Sequence, residues 1–401
     1  MRILVHDYVG HPFQVQLSRE LARRGHEVLH LYCSSFVTPH GELTVRDDDP
    51  PGFNCRAIGL TQTIPKTNFY RRLRLEMQYA PKLAAACERF QPDVVISANT
   101  PSIPQLRLAR SCARNGTRFV SWIQDVYGLA AYRLLGQKVP VVGHAVGRYF
   151  LVLDQWSARL SDAIVVITSD FTSLLAQWGI DSQRIHVIHN WAPLEDMPLR
   201  PRENAWSSQH ILGKGARFIY SGTLAMKHNP ALLLELARML HRDSSGELLV
   251  VSEGAGVEWL AEKAASENLR SLRCLGFQPF EKLPDVLGSA DVLLAILEPD
   301  AGVFSVPSKV LSYFCAGRPV LLAVPHENLA AKIVVESGAG FVVEPSDLAG
   351  FCAQAQQLIQ SPESRERCGS AAREYAETHF DIRRIGKRFE AVLNVENVWG
   401  N

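Results

Sequence analysis

What most constrains this chain is a rhythm that starts twice: short apolar runs alternate with longer stretches of helical periodicity. That alternation suits parallel α/β construction, since parallel strands must be joined by a crossover segment. In the first half the apolar runs fall at residues 3–5, 27–32, 93–97, 118–122, 163–167 and 185–189. Between the first two, Phe13, Leu17 and Leu21 lie on one helical face and Gly25 marks the stop. Residues 190–202, rich in proline, read as a linker. The rhythm resumes with runs at 217–220, 247–251, 272–275, 291–295 and 319–324, and from Ser346 the pattern is helical nearly to the end. A chain of 401 residues exceeds one ordinary core. The expectation is two doubly wound Rossmann-like α/β domains, 1–193 and 194–382, with a helix at about 383–401 packing back on the first. Ligands of such sheets sit outside the strand C-termini, here at a cleft the two domains would share.

Composition narrows the function. With 47% hydrophobic and 21% charged residues the chain is globular, and its net charge of +1 offers no global argument for nucleic acid. The charge is uneven, however: residues 1–190 hold 21 Lys/Arg against 15 Asp/Glu, and the remainder 21 against 26. A basic first half hints at a charged partner. The eight cysteines form no C-x-x-C pair, which suits reduced thiols, and no metal-ligand spacing appears. Residues 1–5 already read as a strand rather than a signal, and no apolar run would span a bilayer, so a cytoplasmic protein is expected.

Chemistry concentrates at Ser305-Val-Pro307-Ser308-Lys309, which leads into a helix closed by Gly317. Proline suits a first helical turn, whose free N–H groups and positive dipole end can seat a phosphate, and Lys309 adds a full charge. Taken bare, such a start is more often ordinary capping. Three loops that follow strands change the weighing. Gly222 and Thr223 precede Lys227; Glu253 lies in Ser252-Glu-Gly-Ala-Gly256; Gly302, Val303 and Phe304 directly precede Ser305, with Glu298 just ahead. Glycine lets backbone approach a ligand closely, and together the loops suit a diphosphate carrying a polar ring.

In order and spacing these features resemble the GT-B glycosyltransferases, specifically retaining family 4, across essentially the whole chain. The Pro-Ser-Lys and Ala-Gly-Arg-Pro-Val segments resemble the bacterial O-antigen and colanic-acid branch with its L-fucosamine-transferase-like members. The resemblance implies a nucleotide-sugar donor, a UDP-sugar, with UDP-N-acetyl-L-fucosamine or a related amino sugar as candidate. It implies a lipid-linked (polyprenyl) saccharide acceptor met at the inner-membrane surface, transfer with retention, and neither metal nor other cofactor. It places Gly222, Thr223, Lys227, Glu253, Phe277, Gln278, Glu298, Gly302, Val303, Phe304, Ser305, Pro307, Ser308 and Lys309 on the donor. Departures are visible: two glutamates common in the family are replaced by Phe304 and Ser312, and a frequent arginine by Thr223.

On the acceptor side the resemblance matches Gly10, His11 and the Trp122-Ile-Gln124-Asp125-Val-Tyr127 segment, with Asn99 after another strand. Asp125 is the expected group that orients or deprotonates the acceptor hydroxyl, unless it merely caps the following segment. Retention in this family is attributed to the leaving diphosphate guiding the hydroxyl, so Asp125, Lys227 and Lys309 form the expected catalytic set. The alternatives are a UDP-GlcNAc 2-epimerase of the same fold, or a sugar-binding protein without catalysis. Residues 66–89, with Lys66, Arg71, Arg72, Arg74, Lys82 and Arg89 among Phe69, Tyr70, Leu73, Leu75, Met77 and Tyr79, are the expected membrane-facing helix.

Overall fold

The computed structural model describes residues 1–36, 43–65, 68–297 and 308–394, without the side chains of Lys138 and Lys227. The chain forms two compact units, Met1–His189 with Ile382–Asn401, and Asn190–Asp381.

The first unit runs β1 (Arg2–Asp7), α1 (Pro12–Arg23), β2 (Glu27–Cys33), β3 (Phe53–Ile58), α2 (Phe69–Phe90), β4 (Val94–Ala98) and α3 (Ser102–Asn115). It continues with β5 (Arg118–Ile123), α4 (Tyr127–Lys138), α5 (Pro140–Leu160), β6 (Ala163–Val166), α6 (Asp170–Gln177) and β7 (Ile185–Val187). Its sheet is parallel, in the order β3-β2-β1-β4-β5-β6-β7. The order reverses beside β1, the crevice position where such sheets take ligands. Asp7 pairs in register with Ala98, and Ala98 with Trp122, so β1, β4 and β5 end together. Central strands are covered on both faces, so β4 is buried throughout and reads as a continuous apolar run. One face packs Leu4, Leu29 and Val95 against Tyr79 and Leu83 of α2 and Leu108 of α3.

The second unit contains α7 (Ala205–Gln209), β8 (Ala216–Ser221), α8 (Ala231–Asp243), β9 (Gly246–Val251), α9 (Ala255–Ser266), β10 (Leu272–Leu275) and α10 (Leu283–Gly288). Then come β11 (Val292–Ile296), α11 (Ser308–Cys315), β12 (Val320–Ala323), α12 (Leu329–Ser337), β13 (Gly340–Val343), α13 (Leu348–Gln360) and α14 (Pro362–His379). Its parallel sheet is ordered β10-β9-β8-β11-β12-β13, again reversing beside the first strand of the unit. The two-domain Rossmann-like class read from the sequence is what the chain adopts.

The last helix, α15 (Ile382–Asn394), belongs to the first unit. Phe389 meets the buried Trp122 edge-on at 4.8 Å, and Glu390 pairs with Arg24 of α1 at 2.6 Å. Helices α4 and α5 form a tight hairpin because glycine stands at each close approach. Gly128 faces the Phe150–Leu151 backbone, Gly143 the Leu135 carbonyl and Gly147 the Tyr132 backbone, with no room for a Cβ. Asp154 of α5 accepts from the Gly128 N–H (2.7 Å), filling an orphan donor at the start of α4.

Two strands escape the sequence pattern, β3 and β13, and both lie at sheet edges. An edge strand is covered less completely: β3 exposes Asn54, Arg56 and Ala57, and β13 is four residues long and begins at Gly340. The helix expected at the membrane divides its apolar residues between core and surface. On α2, Leu75 and Tyr79 are in the core, and Phe69 and Leu73 pack against Leu106, Phe150 and Leu153. Arg72 is held by Glu76 at 2.7 Å. Tyr70 and Met77 stand exposed with Arg71 and Arg74, and Lys66 lies outside the described residues.

Candidate active site

In the first unit, the groups expected on the acceptor converge at the ends of β1, β4 and β5. Asp7, fully buried, organises the first loop: its carboxylate accepts from the N–H groups of Val9 (3.0 Å) and His11. Gly10 between them has φ +84°, a left-handed conformation that glycine adopts without strain. His11 thereby caps α1, whose Pro12 occupies the first turn. Its Nδ1 stands 3.1 Å from the Asn99 amide nitrogen and 3.7 Å from Asp7 Oδ1. Asn99, itself left-handed at φ +49°, also donates to Gln124 Oε1 (3.0 Å). Gln14, fully buried on α1, completes the set with its amide nitrogen 2.7 Å from Asp7 and its oxygen facing Gln124, in the orientation that satisfies both ends. Tyr127 donates to the Asn99 carbonyl (3.0 Å), and the Arg72 guanidinium lies over its ring.

Asp125 stands at the rim of this cluster with its side chain open to solvent. Crowding by surrounding protein pushes its carboxyl up to about 6, against the pull of the His11 charge, and its access to water works against that rise. Among the described residues no hydrogen bond ties Asp125 to a backbone amide, and the free N–H of Gly128 at the start of α4 is taken by Asp154. It is the one acid among these residues placed to meet a substrate. Sequence reasoning missed Asp7, Gln14 and Arg72. Asp7 closes an apolar strand, and an acid at that place is a usable signal; Gln14 and Arg72 sit inside helical patterns and give none.

In the second unit, Gly222 follows β8 with φ +118°, and a Cβ there would meet Lys309 Cε and Nζ at 3.0 and 3.1 Å. Lys309, half-buried on the first turn of α11, carries its ammonium 3.8 Å from the centroid of the Tyr220 ring. Burial pulls that ammonium down to about 7. Tyr313, one turn along α11, accepts from the Ser221 N–H (3.0 Å) and reaches the Ser221 and Leu294 carbonyls. It therefore fixes α11 against the ends of β8 and β11. Tyr220 and Tyr313 are the supporting residues missed from the sequence; the i, i+4 spacing of Lys309 and Tyr313 was there to be read.

The other expected donor residues divide. Ser308 opens α11 and Thr223 lies exposed beside Gly222, its carbonyl taken by Tyr220 Oη (2.8 Å). Glu253 and Phe277 are exposed past the ends of β9 and β10. Gln278 is committed within its own unit, accepting from Trp206 Nε1 and donating to the Gly276 carbonyl, each at 3.0 Å. Glu298, Gly302, Val303, Phe304, Ser305 and Pro307, and the side chain of Lys227, lie outside the described residues. Among the described residues no group of three or more His, Cys, Asp or Glu side chains could hold a metal ion.

Residues 11–191 match the family described as Glycosyl transferase 4-like domain, and residues 202–375 the family described as Glycosyl transferases group 1. The chain belongs to the family 4-like GT-B glycosyltransferases. A probable glycosyltransferase, WbjE of Pseudomonas aeruginosa, is 25% identical over 67% of this chain and 66% of its own length, so just under two thirds of that relative is spanned. Among solved structures of the fold, a sucrose-phosphate synthase of Thermosynechococcus elongatus superposes with a TM-score of 0.73 at 16% identity, covering 98% of both chains. Anabaena HepE in complex with UDP and glucose gives 0.71 at 14% identity, over 98% of this chain and all of that one. WaaG, a glycosyltransferase involved in lipopolysaccharide biosynthesis, gives 0.67 at 14% identity, over 98% of this chain and 100% of that one. In this family setting, the C-terminal end of β8 at Gly222, with Lys309, is the candidate donor site, and the cluster around Asp125 the candidate acceptor site.

Proposed function

We propose that this chain transfers a sugar from a UDP-sugar to a hydroxyl of a lipid-linked saccharide in surface-polysaccharide assembly, with retention of configuration. The observation that carries the reading is the Gly222–Lys309–Tyr220 arrangement. A glycine turn leaves backbone open to a ligand, and an ammonium with no carboxylate partner among the described residues is held against an aromatic face at a helix start. An anion is what that arrangement lacks. Sugar transfer from a nucleotide diphosphate builds negative charge on the leaving diphosphate, and a fixed cation stabilises it best where water is scarce. Asp125 has the chemistry to take or orient the acceptor proton, since a carboxyl near 6 is largely ionised at neutral pH. The donor nucleotide is supported by HepE, whose structure holds UDP and glucose, and a place in surface-polysaccharide assembly by WaaG, a glycosyltransferase involved in lipopolysaccharide biosynthesis. An amino sugar such as UDP-N-acetyl-L-fucosamine is the first donor to try.

The test is a donor panel: UDP-sugars incubated with and without a polyprenyl-diphosphate saccharide, following UDP release. The proposal expects release that requires the acceptor and differs sharply between donors. Isomerised UDP-sugar without acceptor would instead establish the epimerase reading.

A further inference from the structure

The first unit carries an exposed apolar surface that the candidate active site does not use. It lies on the α4–α5 hairpin. Val141 is 85% exposed, Val142 61%, Tyr149 55% and Trp156 46%, and Leu134 of α4 is 60% exposed. On α5, Val142, Tyr149 and Trp156 recur at seven-residue spacing and so share one face over four turns. The glycines at the hairpin contact explain the arrangement. They bring the two backbones together without apolar side chains, so the large apolar residues point outward.

The charge around this face is mainly basic. Between Asp93 and Asp154 the chain holds seven Lys or Arg and a single acid, Asp125. Arg107, Arg110 and Arg114 stand exposed along α3, Arg133 on α4 and Arg148 on α5. The Arg110 guanidinium lies 5.3 Å from the centroid of the Trp156 ring, which puts the basic column of α3 beside the apolar stripe of α5. Aromatic rings, aliphatic side chains and arginines on one exposed face suit the boundary between lipid headgroups and acyl chains. Among the described residues no helix is long and apolar enough to cross a membrane, so such a face would lie in the surface.

We propose that the α3–α5 face docks on an anionic lipid bilayer, with Val141, Val142, Tyr149 and Trp156 inserted shallowly and Arg107, Arg110 and Arg148 on the headgroups. On α2, by contrast, Leu75 and Tyr79 are in the core, Phe69 and Leu73 pack inward, and only Tyr70 and Met77 of the apolar residues expected at the membrane stand exposed. Docking by the α3–α5 face deepens the lipid-linked acceptor reading and rests on it only for why a bilayer is met; docking itself needs neither donor nor acceptor.

The experiment is flotation of the whole chain with vesicles of phosphatidylglycerol and phosphatidylethanolamine, compared with phosphatidylcholine alone. Binding to the anionic vesicles is expected, weakening with added salt. Val142→Asp with Tyr149→Asp should lower the partition about tenfold or more, since both side chains would otherwise enter the interface. Arg110→Gln with Arg148→Gln should do the same at low salt, while Arg71→Gln with Arg74→Gln on α2 should not. All these positions are exposed, so circular dichroism and UDP binding should stay at wild-type values. Wild-type partition in both α3–α5 variants, or absence of vesicle binding by the wild type, overturns the proposal. So does a dimer in light scattering that the Val142/Tyr149 variant dissociates while vesicles remain unbound. Because the assay contains no sugar, transfer to a water-soluble acceptor by a chain that ignores vesicles would sink the docking and leave the chemistry standing.

Discussion

If Lys309 receives the donor diphosphate, binding of UDP must carry a proton with it. Burial holds the free ammonium down at about 7, against 10.5 for an ordinary lysine. A diphosphate in contact favours the charged form and restores the higher pKa. At pH 6 the free side chain is about nine-tenths protonated and binding moves almost no proton; at pH 8 it is about nine-tenths neutral and binding takes up close to one. Apparent affinity should therefore fall by roughly 50-fold between pH 7 and pH 9, or about 2.3 kcal/mol, within the 1.5–3 kcal/mol that a charge-assisted contact supplies. UDP titrates its own terminal phosphate nearby, so the informative quantity is the difference between wild type and Lys309→Met. Methionine keeps an aliphatic stem over Tyr220 and removes the charge. Calorimetry in two buffers of different ionisation enthalpy gives the proton count directly. The advantage of wild type over Lys309→Met should be largest at pH 6 and should shrink about 50-fold between pH 7 and pH 9. A difference that stays flat with pH, or binding without proton uptake at pH 8, would refute the assignment of Lys309 to the diphosphate.

Asp125→Asn should lower turnover by about 10² or more, the usual scale for acid–base groups, and leave UDP affinity unchanged in calorimetry. With its carboxyl raised to about 6, wild-type kcat/KM for the acceptor should rise with pH through about 6, as the base loses its proton, and the variant should lack that limb. Gly222→Ala places a Cβ against Lys309 at a φ of +118°, so unfolding should shift by about 1–3 kcal/mol and UDP binding should weaken along with it, read by thermal melts and calorimetry. Gly147→Ala drives a Cβ into the Tyr132 backbone and should cost about 1–3 kcal/mol in urea unfolding, without changing UDP binding in the folded fraction.

The periodic parts of this fold were legible because central parallel strands are covered on both faces and must be largely apolar, as in Val94–Ala98 of β4 and Leu248–Val251 of β9. β3 and β13 were not, because edge positions relax that demand. The candidate site divides in the same way. Gly10, Gly222 and the helix start at Lys309 announce themselves through backbone chemistry, which is local in sequence. Gln14 and Tyr313 act through partners far along the chain: Gln14 links the Asp7 carboxylate to Gln124 and Asn99, and Tyr313 bonds across 92 residues to Ser221. Periodicity cannot reveal such pairings. The interleaved apolar and basic residues of α2 and α5 look alike in sequence, and only packing shows that Leu75 and Tyr79 turn inward while Tyr70, Met77, Val142 and Tyr149 turn out.

The central claim is tested most directly by one reaction: purified chain, radiolabelled UDP-sugars and a polyprenyl-diphosphate saccharide, with lipid products and UDP counted together. The account predicts one mole of UDP released for each mole of sugar that enters the lipid fraction, an α/β configuration in the new bond matching that of the donor, and no release when the acceptor is left out. Label remaining in the nucleotide-sugar pool as an isomer, or tight UDP-sugar binding with no turnover on any acceptor, would contradict it.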